Sequence, residues 1–310
     1  MATNMLKVGH RGARAYEPEN TLRSYKKALE LGVDAVELDV RRTKDGEIVV
    51  IHDAEVDRTT NGKGLVNQLT LKEIKQFKTE KDEKIPTLEE ALDFLDKKVK
   101  VLIELKETGF EAKMLKALEK KELEDNVVIV SFLEDALRKV RQLNEKVETG
   151  LIYAKHKNPV KTAVDLKAGY LLPLYRFTHT ADVQKAHQNG LKVVVWTINK
   201  PEEVAEYVKK GVDGIASEAF VFVCAEYGEA DQRLDVAFHC LGIAKGRARA
   251  GGQDGGKGCV HRAILTPAAV IGSPRSRLQN RSFGKVIRPP GAAPHVRLSA
   301  AQACSRIRGR

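Results

Sequence analysis

Between Leu6 and Asp53 the sequence carries His10-Arg11-Gly12, Glu37-Leu38-Asp39 and His52-Asp53, each at the end of an apolar run. Residues two apart on a strand share a face, so Glu37 and Asp39 project together, roughly 6 to 7 Å apart, while Leu38 turns the other way. Ala35, Val36, Leu38 and Val40 make that strand apolar enough to be buried, and buried carboxylates need partners. Glu104, within Val101-Leu102-Ile103-Glu104-Leu105, poses the same difficulty on another strand. One divalent cation with oxygen ligands, Ca2+ or Mg2+, answers all three carboxylates at once. His10 and His52 then add groups that give and take protons near neutral pH.

Such a set suits phosphoryl chemistry on a diester. A cation neutralises phosphate oxygens, a neutral histidine removes a proton from the attacking hydroxyl or water, and a protonated one delivers a proton to the leaving alkoxide. Lys106 shares a face with Glu104, and Arg11 follows His10. Each suits either an anionic substrate or an ion pair with a neighbouring carboxylate. Trp196, the only tryptophan, ends an apolar run and fits a pocket wall or core packing. His156, His179 and His187 read as surface residues, and Arg41-Arg42 as exposed charge.

The elements that must carry these residues follow in order. Leu6 to Gly9 reads as a buried strand. Asn20 or Thr21 caps a helix that stops at Gly32. Val33 to Val40 is the second strand, and the turn at Lys44-Asp45-Gly46 leads into a third, Ile48 to Ile51; so short a connection implies a hairpin. The polar segment from about 53 to 86 reads as an insertion with one short helix, Leu71 to Phe77. Thr87 with Glu90 forms a capping box for a helix to Leu95. Strand 99–105, helix 110–121, strand 127–131, helix 134–143 and strand 148–153 come next. After a loose lysine-rich connection, strand 169–174, helix 180–189, strand 191–197, helix 201–210 and strand 212–216 complete the alternation.

That succession predicts a parallel sheet with helical crossovers. A (β/α)8 TIM-like barrel with one surplus strand fits better than a doubly wound sheet. The chemistry-bearing residues fall near the C-terminal ends of several different strands, whereas an open sheet offers one switch point. No glycine-rich dinucleotide fingerprint follows the first strand.

Composition divides the chain near residue 224. The formal net charge is +11, yet residues 225–310 hold 15 Lys+Arg against 5 Asp+Glu, leaving 38 against 37 before them. Lysine gives way to arginine at the same place, and half of the glycines and prolines follow Phe222. The barrel is expected over 1–224 and a disordered basic tail over 225–310, the tail reading as sequence of another origin, from a shifted frame or appended. All four cysteines lie at or beyond the boundary with no zinc spacing, and no apolar run reaches the roughly 18 residues of a membrane span. No signal peptide is read, so the expectation is a cytoplasmic protein.

The motifs His10-Arg11-Gly12, Pro18-Glu19-Asn20-Thr21, Glu37-Leu38-Asp39-Val40, Thr43-Lys44-Asp45-Gly46, His52-Asp53, Ile103-Glu104-Leu105-Lys106 and Val195-Trp196-Thr197-Ile198-Asn199 closely resemble the glycerophosphodiester phosphodiesterase family over about residues 6 to 216. The resemblance implies a (β/α)8 barrel, a metal held by Glu37, Asp39 and Glu104, and His10 and His52 as proton acceptor and donor. It implies hydrolysis of small glycerophosphodiesters to glycerol 3-phosphate and an alcohol, and allows the substrate's own 2-hydroxyl to attack first. It also places the insertion at the barrel mouth. Where the family ends its last strand with Thr-Asp or Thr-Asn and a proline, this chain has Ala216-Ser217-Glu218-Ala219-Phe220. Two other readings stand beside this one: a phosphodiesterase of similar layout for lysophospholipids or phosphoinositides, and a nucleic-acid or acidic-surface binder acting through the tail. The tail lacks aromatic interleaving and a folded binding motif, and no nucleic-acid partner is expected of the barrel.

Overall fold

Runs of Val, Ile and Leu without polar alternation are buried on both faces where helices cover a sheet on each side or where the sheet closes on an interior of its own beneath a layer of helices. The computed structural model describes residues 5–219, and in it eight such runs form one closed parallel sheet. They are β1 (Leu6–Gly9), β2 (Ala35–Arg42), β4 (Lys100–Leu105), β5 (Val127–Ser131), β6 (Glu148–Tyr153), β7 (Tyr170–Pro173), β8 (Lys192–Val195) and β9 (Gly214–Ser217). Closure comes from β1, which pairs in parallel with both β2 and β9. The expected (β/α)8 barrel is therefore the architecture, and the surplus strand is β3 (Ile48–Val50), antiparallel to the end of β2 as the short connection requires.

Outside the barrel lie α1 (Leu22–Glu30), α3 (Leu88–Leu95), α4 (Glu111–Lys120), α5 (Glu134–Leu143), α7 (Thr180–Gln188) and α8 (Pro201–Lys210). Thr21 caps α1 through the Ser24 amide, and Thr87 with Glu90 forms the capping box of α3. The connection read as loose holds a further helix, α6 (Pro159–Asp165). It buries only Val160 and Ala163, too few apolar positions for a helical period to stand out, although proline at its first turn is a start signal. The short helix of the insertion, α2 (Leu71–Ile74), stops short of Phe77. Val56, Val66, Ile74 and Ile85 give the insertion a small core of its own, packed on Val49 of β3 and on Ile51 just after it. Among the described residues no helix is long and apolar enough to cross a membrane. The four cysteines and the expectations for 225–310 lie outside the described residues.

Two apolar layers follow from strand alternation. Val36, Leu38, Val40, Ile103 and Leu105 face the helices, whereas Val8, Ala35, Leu102, Val130, Leu172 and Val194 fill the barrel interior. Ala35, Glu37 and Asp39 share one file of β2, and Leu102 and Glu104 share one of β4. The carboxylates therefore continue the interior files toward the C-terminal rim.

At that rim the chain after β1 reverses sharply, with Arg11 at φ 56° and Gly12 at φ 77°. A Cβ on Gly12 would lie 2.2 Å from Ser24 Oγ and 2.8 Å from the Ser24 carbonyl carbon, so both sterics and backbone demand glycine. Gly12→Ala is expected to lose about 3 kcal/mol or more, lowering Tm by about 6 °C or more in thermal unfolding. A Tm within 1 °C of the parent would contradict this account.

Candidate active site

Parallel register brings the three carboxylates together. Asp39 on β2 lies opposite Glu104 on β4, and Glu37 lies opposite Leu102, one step toward the interior. One carboxylate oxygen each from Glu37, Asp39 and Glu104 falls within 4.8 Å of the others, and all three residues are buried. Lys106 and Arg11 are the nearby cations. Lys106 Nζ lies 2.5 Å from Glu104 Oε1 and 2.9 Å from Asp39 Oδ1. Arg11 donates its backbone N–H to Glu37 Oε2 at 2.9 Å and sets Nε 3.2 Å from Asp39 Oδ2. Both bases thus pair with carboxylates of the triad, and both also line the cavity.

Three carboxylates against two bases leave a formal charge of −1 in a buried place. The oxygens are also short of donors: among the described residues Glu37 Oε1 accepts no hydrogen bond, and Asp39 Oδ1 accepts none that is aligned. Burial, then the charges of Asp39 and Glu104, push the Glu37 carboxyl well up. Burial and the Asp39 charge raise Glu104 too. Burial opposes ionisation of Asp39 as well, but the charges of Lys106 and Arg11 outweigh it and hold that carboxyl low. Buried acidic oxygens without donors are a fit for a hard divalent ion, which the triad could hold.

His10 follows β1 and lines the same cavity, with Nε2 3.9 Å from Glu37 Oε2. His52 follows β3 and lines it too. Burial lowers the pKa of both imidazoles; for His10 it outweighs the Glu218 hydrogen bond, and for His52 the Asp39 charge and the Asp53 hydrogen bond. Arg41, read as exposed charge, is half-buried and donates Nε to the His52 carbonyl at 2.9 Å, tying β2 to that residue.

The cavity, about 140 Å³, has two unlike halves. His10, Arg11, Glu37, His52, Glu104 and Lys106 make one wall; Val130, Phe132, Ile152, Leu172 and Trp196 make the other. Trp196 donates Nε1–H to the Leu172 carbonyl at 2.8 Å and meets Phe132 edge to face, centroids 5.7 Å apart. It is thus wall and packing together.

Several site residues were not singled out by sequence reasoning. Glu218 sits beside His10 because β1 and β9 pair with Gly9 opposite Ser217, a neighbour relation invisible until the sheet order is known. Asn20 donates Nδ2 to Asp39 Oδ2 at 2.8 Å, with φ 58° to reach it. Glu19 and Arg58 join the rim from the β1 loop and the insertion. His179 and His187 are exposed and His156 is half-buried, all outside the cavity.

The arrangement has counterparts among known proteins. The sequence model of the glycerophosphoryl diester phosphodiesterase family matches residues 10–220. A glycerophosphodiester phosphodiesterase of Caldanaerobacter subterraneus subsp. tengcongensis is 40% identical over 227 residues, spanning 69% of this chain and 93% of that relative. A phosphodiesterase of Oleispira antarctica, solved in complex with the product sn-glycerol-3-phosphate, superposes with a TM-score of 0.67 at 27% identity, covering 70% of this chain and 94% of the other. A glycerophosphodiester phosphodiesterase of Agrobacterium tumefaciens gives 0.65 at 26% identity, covering 70% and 97%. Since the matched span runs from the first rim histidine to the closing strand of a barrel of this kind, the chain belongs to the glycerophosphoryl diester phosphodiesterase family.

Proposed function

We propose that this enzyme hydrolyses glycerophosphodiesters to glycerol 3-phosphate and an alcohol, with one divalent cation held by Glu37, Asp39 and Glu104, and with His10 and His52 as proton acceptor and donor. The observation that carries the reading is the donor-poor carboxylate triad with both imidazoles lining one cavity. The product bound to the Oleispira antarctica phosphodiesterase supports the substrate class.

When bound, the cation, Ca2+ or Mg2+, would neutralise phosphate oxygens and hold the diester at the triad. Arg11 and Lys106, buried beside those carboxylates, add positive charge for the same oxygens. Neutral His10 takes the proton of the attacking hydroxyl, water or the glycerol 2-OH, as its oxygen bonds to phosphorus; attack by the 2-OH leaves a cyclic glycerol phosphate, which water then opens to glycerol 3-phosphate. Protonated His52 gives its proton to the departing oxygen as the P–O bond breaks, so the alcohol leaves uncharged. The lowered pKa of His10 keeps it in the neutral, accepting form; burial lowers the pKa of His52 as well, with the Asp39 charge and the Asp53 hydrogen bond opposing that loss of its proton. The apolar wall of Val130, Phe132, Leu172 and Trp196 limits water at the reacting centre.

The test is release of glycerol 3-phosphate from a panel of glycerophosphodiesters, with EDTA and with Ca2+ or Mg2+ restored, beside lysophospholipid and inositol-containing diesters. Turnover that stops with chelator and returns with cation is the expected result. Undiminished turnover in EDTA would remove the cation from the reading, and preference for the long-chain or inositol diesters would reassign the substrate.

A further inference from the structure

Behind each imidazole stands a carboxylate, and behind each carboxylate an arginine. Glu218 Oε1 lies 3.3 Å from His10 Nδ1 and 3.0 Å from Arg14 NH1. Asp53 Oδ1 lies 2.6 Å from His52 Nδ1, and Asp53 Oδ2 accepts from Arg58 Nε at 2.5 Å. The two arginines belong to different parts of the rim, Arg14 to the loop after β1 and Arg58 to the insertion, yet both end on Glu19. Glu19 Oε2 lies 2.9 Å from Arg14 Nε and 3.0 Å from Arg58 NH1. Glu19 Oε1 accepts from Arg58 NH2 at 2.7 Å and from Arg11 NH1 at 2.9 Å. Four guanidinium nitrogens thus surround a carboxylate with roughly four lone-pair sites, on a side chain only 8% exposed.

We propose that Glu19 is a positioning residue for both histidines at once: through Arg14 and Glu218 it sets His10, and through Arg58 and Asp53 it sets His52. The proposal rests on the acid–base reading of the two histidines. Carboxylates only accept hydrogen bonds, so Glu218 and Asp53 fix the proton of each imidazole on Nδ1 and leave Nε2 as the exchanging nitrogen. An acceptor and a donor acting on one phosphorus must also be held relative to each other, and a misplacement of about 1 Å can cost a hundredfold in rate. His10 and His52 follow separate strands and lead into separate loops. Glu19 is where those loops are joined, by charge-assisted hydrogen bonds from Arg58 and by an ion pair with Arg14. Its oxygens already face three guanidinium groups, which suits a tie and not a substrate contact. Arg11 keeps its hold on Asp39 through Nε, so the charge offered to phosphate survives the loss of Glu19.

Glu19→Gln in the full chain, with 15N-labelled histidine, tests the tie. Expected are a kcat lowered about 10- to 100-fold with KM within about threefold, and altered Nδ1 and Nε2 resonances for both His10 and His52. His187, held separately by Asp213 at 2.8 Å, serves as the unmoved control. Arg14→Lys should disturb His10 alone and Arg58→Lys His52 alone; these side chains are 33% and 45% exposed, so the two variants test the arms even if Glu19→Gln fails to fold. Imidazole resonances unchanged in Glu19→Gln, or in both lysine variants, overturn the tie whatever the rate does. Moved resonances with an unchanged kcat overturn the acid–base reading instead, and the proposal with it.

Discussion

His10→Ala and His52→Ala are each expected to lower kcat by about 10²- to 10⁴-fold, the usual contribution of a positioned proton acceptor or donor. Neither imidazole belongs to the apolar clusters that hold the barrel, so far-UV circular dichroism should match the parent. The two variants should part company on a second substrate. A proton donor matters in proportion to the basicity of the leaving oxygen, and a p-nitrophenyl diester of glycerol phosphate departs as a stable phenolate. His52→Ala should therefore recover most of its loss on that substrate, whereas His10→Ala should not, because the attacking hydroxyl still has a proton to lose. Equal losses on alkyl and aryl diesters would deny His52 the donor role, and near-parental rates in either variant would remove that histidine from the proton transfers.

The motif residues were legible because each is a chemical anomaly in its own stretch. Glu37, Asp39 and Glu104 stand out since a strand of Val, Leu and Ile has no ordinary use for an acid, and strand alternation alone puts Glu37 and Asp39 on one face. That Asp39 faces Glu104 across the sheet is a fact of register, which local sequence does not contain. The barrel was legible for a similar reason: fully apolar strands alternating with amphipathic helices admit few architectures. Glu218, Glu19 and Arg58 were not legible. Each is a charged residue in a polar loop, where charge is the expected composition, and only closure of β9 on β1 and folding of the insertion over the rim give them partners. Glu218 drew notice only as part of a departure from the family pattern at the last strand, which does not show that its carboxylate meets His10. The helix α6 escaped because its two buried residues carry too weak a period.

Glu37→Gln should move stability and activity in opposite directions. Glu37 is buried with Oε1 lacking a donor and with Asp39 and Glu104 adding negative charge, so ionising it in the metal-free protein is unfavourable. Its folded pKa is raised above the unfolded value. As pH climbs past the ordinary carboxylate range, the unfolded chain gives up this proton before the folded one does, and metal-free stability falls. Glutamine keeps the shape, can still accept the Arg11 amide, and has no proton to lose. In EDTA the Tm of Glu37→Gln should match the parent at mildly acidic pH and exceed it increasingly toward alkaline pH. A gain of about 1 to 2 kcal/mol, or about 2 to 8 °C, is expected at the alkaline end. Added Ca2+ or Mg2+ should reverse the order: at a hundredfold excess over Kd the parent gains about 2.7 kcal/mol and the variant little, because one of three anionic ligands has become neutral. Turnover of the variant should fall at least about 10²-fold and not return with excess cation. A structural role for Glu37 predicts the reverse, a variant less stable in EDTA at every pH. A variant that is more stable yet retains parental turnover would mean that the buried charge serves no cation.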